Sequence, residues 1–164
     1  MNIGRRAFLG LGGLGLAAGG AFLFTRGEAA AVPTGNAPVR LSDAEWRRRL
    51  SPEAYRVLRR AGTERSGSSP LDREHRRGTF HCAGCNQPLF ASADKFDSGT
   101  GWPSFTRPLP NAVGTREDNT LFTARVEVHC RRCAGHLGHV FDDGPRPTGK
   151  RYCMNGVAMR FVPA

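Results

Sequence analysis

Four of the five cysteines in this sequence fall into two pairs, "CAGC" (Cys82, Cys85) and "CRRC" (Cys130, Cys133), with 44 residues between the pairs. Two residues between cysteines let a tight knuckle aim both sulfurs at one point, and two knuckles complete a tetrahedron around one zinc ion. A closed four-sulfur shell leaves no open position for a substrate, so such a metal is structural rather than catalytic. The alternative is two disulfides, which a compartment outside the cytoplasm would favour. Bridges within C-x2-C pairs are strained and tend to be redox-active, however, and two of them make a poor framework.

The fifth thiol, Cys153, stands in "GKRYCMNGVAMRF". A free cysteine is often only a small buried hydrophobe. On a strand, Arg151, Cys153 and Asn155 share one face. The cation beside the thiol would favour the thiolate, which is the nucleophilic form. Upstream, "GHLGHVFDDGP" sets His136 and His139 three residues apart between glycines, a pattern open to proton handling, a second metal site or a polar turn. "SGTGWPSF" puts Trp102 and Phe105 on a glycine-proline loop, where they could form an apolar wall or pack in a core.

These groups need elements to hold them. "LSDAEWRRRLSPEAYRVLRRAGTE" predicts two short helices. Ser42 with Glu45 forms a capping box, Ser51 with Pro52 a second start, and Gly62 a stop. Both helices are richer in arginine outside than in apolar residues inside, which predicts a flap packed on the main body. From Gly78 onward the period becomes two. "TLFTARVEVHC" places Phe122, Ala124, Val126 and Val128 on one face, with Thr123, Arg125, Glu127 and His129 on the other. "GTFHC", "PLFAS", "HVFDD" and "RYCMNGVAMRF" are shorter strand candidates. Helices first and strands afterwards, without βαβ alternation, predict a mainly β domain of antiparallel sheet carrying small helices.

Residues 1–31 have the layout of an export signal: a basic start, an apolar stretch from Ala7 to Phe24 and a small-residue end at Ala29, Ala30 and Ala31. "GRRAFLG" resembles the bacterial twin-arginine signal. An uncleaved anchor with Arg5 and Arg6 inside is the alternative. Either way the domain over residues 42–164, joined by a linker over 32–41, is expected beyond the cytoplasmic membrane, in the periplasm or cell envelope. Twin-arginine export carries folded proteins, so zinc could be loaded in the reducing cytoplasm. The net charge is +10, and three arginines and one glutamate lie in the first 31 residues, leaving +8 beyond them. That charge is spread without aromatic interleaving, so nucleic acid is not an expected partner.

From residue 42 onward the chain resembles the methionine-R-sulfoxide reductases, the B type of methionine sulfoxide reductase. The resemblance rests on "HCAGC", "PLF", "KFDSGTGWPSF", "CRRCAGHLGHVFDDGPRPTGKRYCMNG" and "AMRF" in that order. It implies two small antiparallel sheets forming a partly open barrel, with a four-cysteine zinc site and no organic cofactor. It also implies roles: Cys153 attacks the sulfoxide sulfur, and His136 and His139 orient and protonate its oxygen. Trp102 receives the methyl group, Phe141 helps line the pocket, and Arg151 and Asn155 flank the nucleophile. The implied substrates are oxidised proteins.

The sequence departs from the family pattern twice. Many members carry a resolving cysteine where this chain has Thr100, so a sulfenic acid on Cys153 would need an external thiol, from a thioredoxin-like donor or a small molecule. Gly156 stands where serine is common. Two other readings remain at this level: a basic zinc-knuckle binding module without catalysis, and an acyl-transferring cysteine enzyme using Cys153, His139 and Asp142.

Overall fold

The computed structural model describes residues 38–119 and 124–164. The residues of the expected export signal, those of the expected linker up to residue 37, and Phe122 and Thr123 of the expected strand lie outside them. Among the described residues no helix is long and apolar enough to cross a membrane. The chain joins the domain just before the first helix: Val39 and Leu41 pack on the core, and the Val39 N–H donates to the Arg132 carbonyl at 2.9 Å.

Helix α1 (Asp43–Arg49) opens on the expected capping box, and α2 (Pro52–Arg60) opens with the Ser51 hydroxyl accepting the Ala54 N–H at 3.2 Å. The left-handed residue that ends α2 is Ala61, φ 50°, and the Gly62 N–H then closes on the Arg56 carbonyl at 3.0 Å. The pair is more than a flap. Trp46, Val57 and Leu58 are almost wholly buried, because α2 lies against the sheet strand that carries the two histidines.

Nine strands follow among the described residues: β1 (Gly78–Cys82), β2 (Pro88–Ala91), β3 (Lys95–Phe96), β4 (Ser104–Phe105), β5 (Val113–Asp118), β6 (Arg125–Cys130), β7 (His136–Phe141), β8 (Arg151–Met154) and β9 (Met159–Pro163). They form two antiparallel sheets, ordered β2-β1-β9 and β3-β4-β8-β7-β6-β5, and neither closes on itself. Phe105 of the larger sheet stacks on Phe90 at 4.4 Å between ring centroids and meets Phe80 edge-on at 4.9 Å, both in the smaller sheet. Each such ring contributes about 1.5–3 kcal/mol by leaving water. Phe105 therefore belongs to the core that joins the sheets, not to a pocket wall.

Two local expectations are corrected. "RYCMNGVAMRF" is not one strand: β8 ends at Met154, a 3-10 turn covers Gly156–Ala158, and β9 continues in the other sheet. On β6, Val126 is exposed while Glu127 is 4 % exposed, so the charged residue turns inward. The reason is a buried partner on the neighbouring strand.

Candidate active site

The two cysteine knuckles are built alike. In each, the fourth residue after the first cysteine takes a left-handed conformation (Asn86, φ 64°; Ala134, φ 55°) and donates its N–H to that cysteine's carbonyl, at 2.9 and 2.8 Å. The turns lie at the ends of β1 and β6 and bring four sulfurs together. Cys82 and Cys133 are 3.7 Å apart, Cys85 and Cys130 are 3.5 Å apart, and all four sulfurs lie within 4.8 Å of one another. Sulfurs bound tetrahedrally at about 2.3 Å stand about 3.8 Å apart, whereas a disulfide needs about 2.05 Å. The donor set fits one metal ion, and all four thiols are free. Buried Arg59 donates to the Cys133 carbonyl at 2.9 Å while its guanidinium lies 4.8 Å from the centroid of the Trp46 ring.

None of these cysteines lines the cavity at Cys153. On β8 that residue sits in register with His139 on β7 and Ser104 on β4. Strands β7 and β8 approach closely because Gly138 has no side chain; a Cβ there would lie 2.1 Å from the Cys153 carbonyl oxygen. A cavity of about 150 Å³ opens beside the thiol, lined by Trp102, His139, Phe141 and Asn155 together with Thr63, Arg125 and Gly138.

One wall is apolar. The Trp102 indole is held by its N–H, which donates to the Glu64 carbonyl at 3.3 Å. Phe141 lies under the Arg151 guanidinium, 4.4 Å from its ring centroid. The other wall is polar. His139 Nε2–H donates to Asp118 Oδ2 at 2.7 Å, so its Nδ1, which has no hydrogen-bond partner among the described residues, remains for a ligand. Burial lowers the His139 pKa, with Asp118 opposing, and a depressed histidine is neutral at pH 7. Asn155 lies beyond the end of β8 rather than on the strand face shared by Arg151 and Cys153. Its Nδ2 donates to the Leu137 carbonyl at 3.0 Å and its Oδ1 accepts the Glu64 N–H at 2.9 Å. One amide hydrogen is left over.

His136 is placed differently from His139. It is 2 % exposed and does not line the cavity. Its Nδ1–H donates to Glu127 Oε1 at 2.7 Å, and its Nε2 is buried without a partner among the described residues. The two imidazoles meet edge-on, 5.3 Å between centroids. Glu127 also accepts from Arg116. Burial works to raise the Glu127 carboxyl, but the hydrogen bonds from His136 and Arg116 outweigh it and hold it low.

Arg151 does face the thiol, but it is also locked to Asp143 by contacts of 2.8 and 2.7 Å. Burial pushes the Cys153 thiol up, and Thr100, Arg151 and Ser104 offset only part of that. Arg151 favours the thiolate as expected, but burial outweighs it and leaves the thiol above its ordinary value. Thr100 Oγ1 stands 4.0 Å from the Cys153 sulfur. Asp142, by contrast, is 82 % exposed and pairs with Lys150, so no Cys153–His139–Asp142 array forms.

Residues 50–163 match the family model described as the SelR domain. The chain belongs to this family. It is similar to the peptide methionine sulfoxide reductase MsrB of Agrobacterium fabrum, 51% identical over 76% of this chain and 93% of that protein. The enzymes of the same name from Thiobacillus denitrificans and Leifsonia xyli are 53% and 54% identical, each over 74% of this chain and over 93% and 89% of their own lengths. The protein is thus an oxidoreductase, a peptide methionine sulfoxide reductase. Sequence reasoning passed over Glu64, Asp118 and Glu127, whose partners lie 91, 21 and 9 residues away. Only a charged residue on a half-buried strand hinted at Glu127.

Proposed function

We propose that Cys153 reduces the R epimer of methionine sulfoxide, mainly in oxidised proteins, and becomes a sulfenic acid. One observation supports this above others: the thiol lines a small cavity between an indole and a histidine-amide wall. A sulfoxide is pyramidal, with one polar oxygen and one apolar methyl group. The methyl lies on Trp102 and Phe141, the oxygen meets His139 and Asn155, and the sulfur then faces Cys153. The mirror epimer would put its oxygen on the indole.

Cys153 attacks the sulfur as thiolate, and its proton passes through His139 to the sulfoxide oxygen. The net step moves one oxygen: thiol and sulfoxide become sulfenic acid and thioether. His136, set behind His139 by Glu127, supports the proton path. Arg151, the cation beside the thiol, favours its ionisation, and His139 takes the proton as the attack proceeds. Thr100 occupies the place from which a second cysteine could reach Cys153, so the sulfenic acid is resolved by an external thiol. One equivalent forms a mixed disulfide and water, and a second returns Cys153 and leaves with the disulfide. A thioredoxin-like protein or a small thiol can supply both.

The metal held by Cys82, Cys85, Cys130 and Cys133 is zinc, and its part is structural. The first 31 residues direct the domain through the twin-arginine machinery to the periplasm or cell envelope, where it repairs oxidised proteins. A single-turnover assay tests the chemistry, using pre-reduced protein freed of reductant and separate R and S epimers of a peptide methionine sulfoxide. We expect about one equivalent of methionine from the R epimer, with a sulfenic acid trapped on Cys153 and nothing from Cys153→Ser. Turnover by that variant would refute the nucleophile.

A further inference from the structure

We infer that Glu64 is a positioning residue for this reaction, coupling the indole wall to the Asn155 amide from behind the cavity. The inference rests on the reading of Trp102 and Asn155 as substrate-contacting groups. Glu64 follows α2 and is 4 % exposed. Its main chain touches both walls: the N–H donates to Asn155 Oδ1 at 2.9 Å, and the carbonyl accepts the Trp102 indole N–H at 3.3 Å. Its side chain anchors that main chain in turn. Oε1 accepts the Gly156 N–H at 2.6 Å and Oε2 accepts the Val157 N–H at 2.9 Å.

A carboxylate suits this position because two converging N–H groups need two acceptor oxygens and no donor. Burying it without a cation costs free energy unless those bonds form. Gly156 leaves room for Ser69 beside this turn: a Cβ there would lie 2.0 Å from the Ser69 hydroxyl oxygen, though 3.4 Å from Glu64 Oε1. One residue thus ties α2, the Trp102 loop and the turn after Cys153 together. No other polar atom among the described residues takes the Trp102 indole N–H.

Glu64→Gln separates this role from mere packing. The glutamine has the same size but must turn its NH2 toward one of the two N–H donors, displacing the segment and with it both walls. On the full-length, metal-loaded protein, kcat/KM for the R epimer should fall on the order of 10- to 100-fold. The rise in KM should exceed the fall in kcat, because the methyl wall binds ground and transition states alike. In 1H–15N spectra the Trp102 indole resonance should move while that of Trp46 stays. An unmoved Trp102 resonance, or a kcat/KM within about twofold of wild type, overturns the inference. If the variant does not fold, hydrogen exchange in the wild type decides. The Gly156 and Val157 amides and the Trp102 indole proton should be protected, and exchange at the rate of free peptide would sink the proposal. Failure of the underlying site reading looks different: an inactive wild type, or an active Cys153→Ser.

Discussion

Replacing Glu127 by glutamine removes one negative charge from a buried cluster while leaving its volume unchanged. In the wild type that carboxylate, 5 % exposed at its side chain, accepts from His136 Nδ1 at 2.7 Å and from Arg116 Nη2 at 3.0 Å. Glutamine keeps one acceptor oxygen, so either the imidazole or the guanidinium must face an NH2. Leaving one partner of a buried charged pair uncompensated costs about 3–5 kcal/mol. The Arg116 side chain is 36 % exposed and water can take up part of its charge, which brings the expected loss to about 2–3 kcal/mol. At roughly 4 °C per kcal/mol for a domain of this size, the midpoint of thermal unfolding should fall by about 8–12 °C. Urea unfolding of the metal-loaded protein, followed by far-ultraviolet dichroism, measures the loss directly, with the slope checked for constancy. A loss below about 0.5 kcal/mol, the size of an ordinary surface change, would refute the argument that this cluster holds His136 by charge.

Three further outcomes follow from the same geometry. Because burial raises the Cys153 thiol, its alkylation by iodoacetamide should be slower than that of a free thiol at pH 7. It should keep rising above pH 8.5, the ordinary cysteine value, and a plateau below pH 8 would contradict the burial argument. Cys82→Ser should lose both the metal and the folded state, seen as no bound zinc by elemental analysis and a collapsed dichroism spectrum. A stable, active, metal-free variant would rule out a structural metal. Gly156→Ala should cost about 1–3 kcal/mol in denaturant unfolding, since its Cβ would sit 2.5 Å from that of Ser69. A neutral result would mean that the Ser69 segment moves aside freely.

The chemistry-bearing residues were legible because their signals are local. C-x2-C spacing, the His136–His139 interval and an unpaired Cys153 need no folded chain to be noticed, and period two over residues 78–161 sufficed for antiparallel sheet. The helix starts were equally plain, since Ser42 and Ser51 cap through hydrogen bonds spanning three residues. The supports of those residues were not legible. Phe105 reads as well for a wall as for a core until Phe80 and Phe90 close on it. "RYCMNGVAMRF" reads as one strand because nothing in its alternation marks the passage between sheets at Asn155. Val126 is exposed and Glu127 buried against the hydrophobic pattern because a buried histidine partner on β7 outweighs it.

The sequence by itself determined that two cysteine pairs could share a metal ion and that a fifth thiol stands apart from them, for these follow from residue type and short spacing. Tertiary structure alone decided how they are held. Desolvation raises Cys153 despite Arg151, and Asp118 and Glu127 orient one imidazole each. Glu64 joins Trp102 to Asn155, whose amide lies 91 positions further along the chain. Burial and long-range hydrogen bonds are properties of packed surfaces, and no pattern confined to neighbouring residues encodes them.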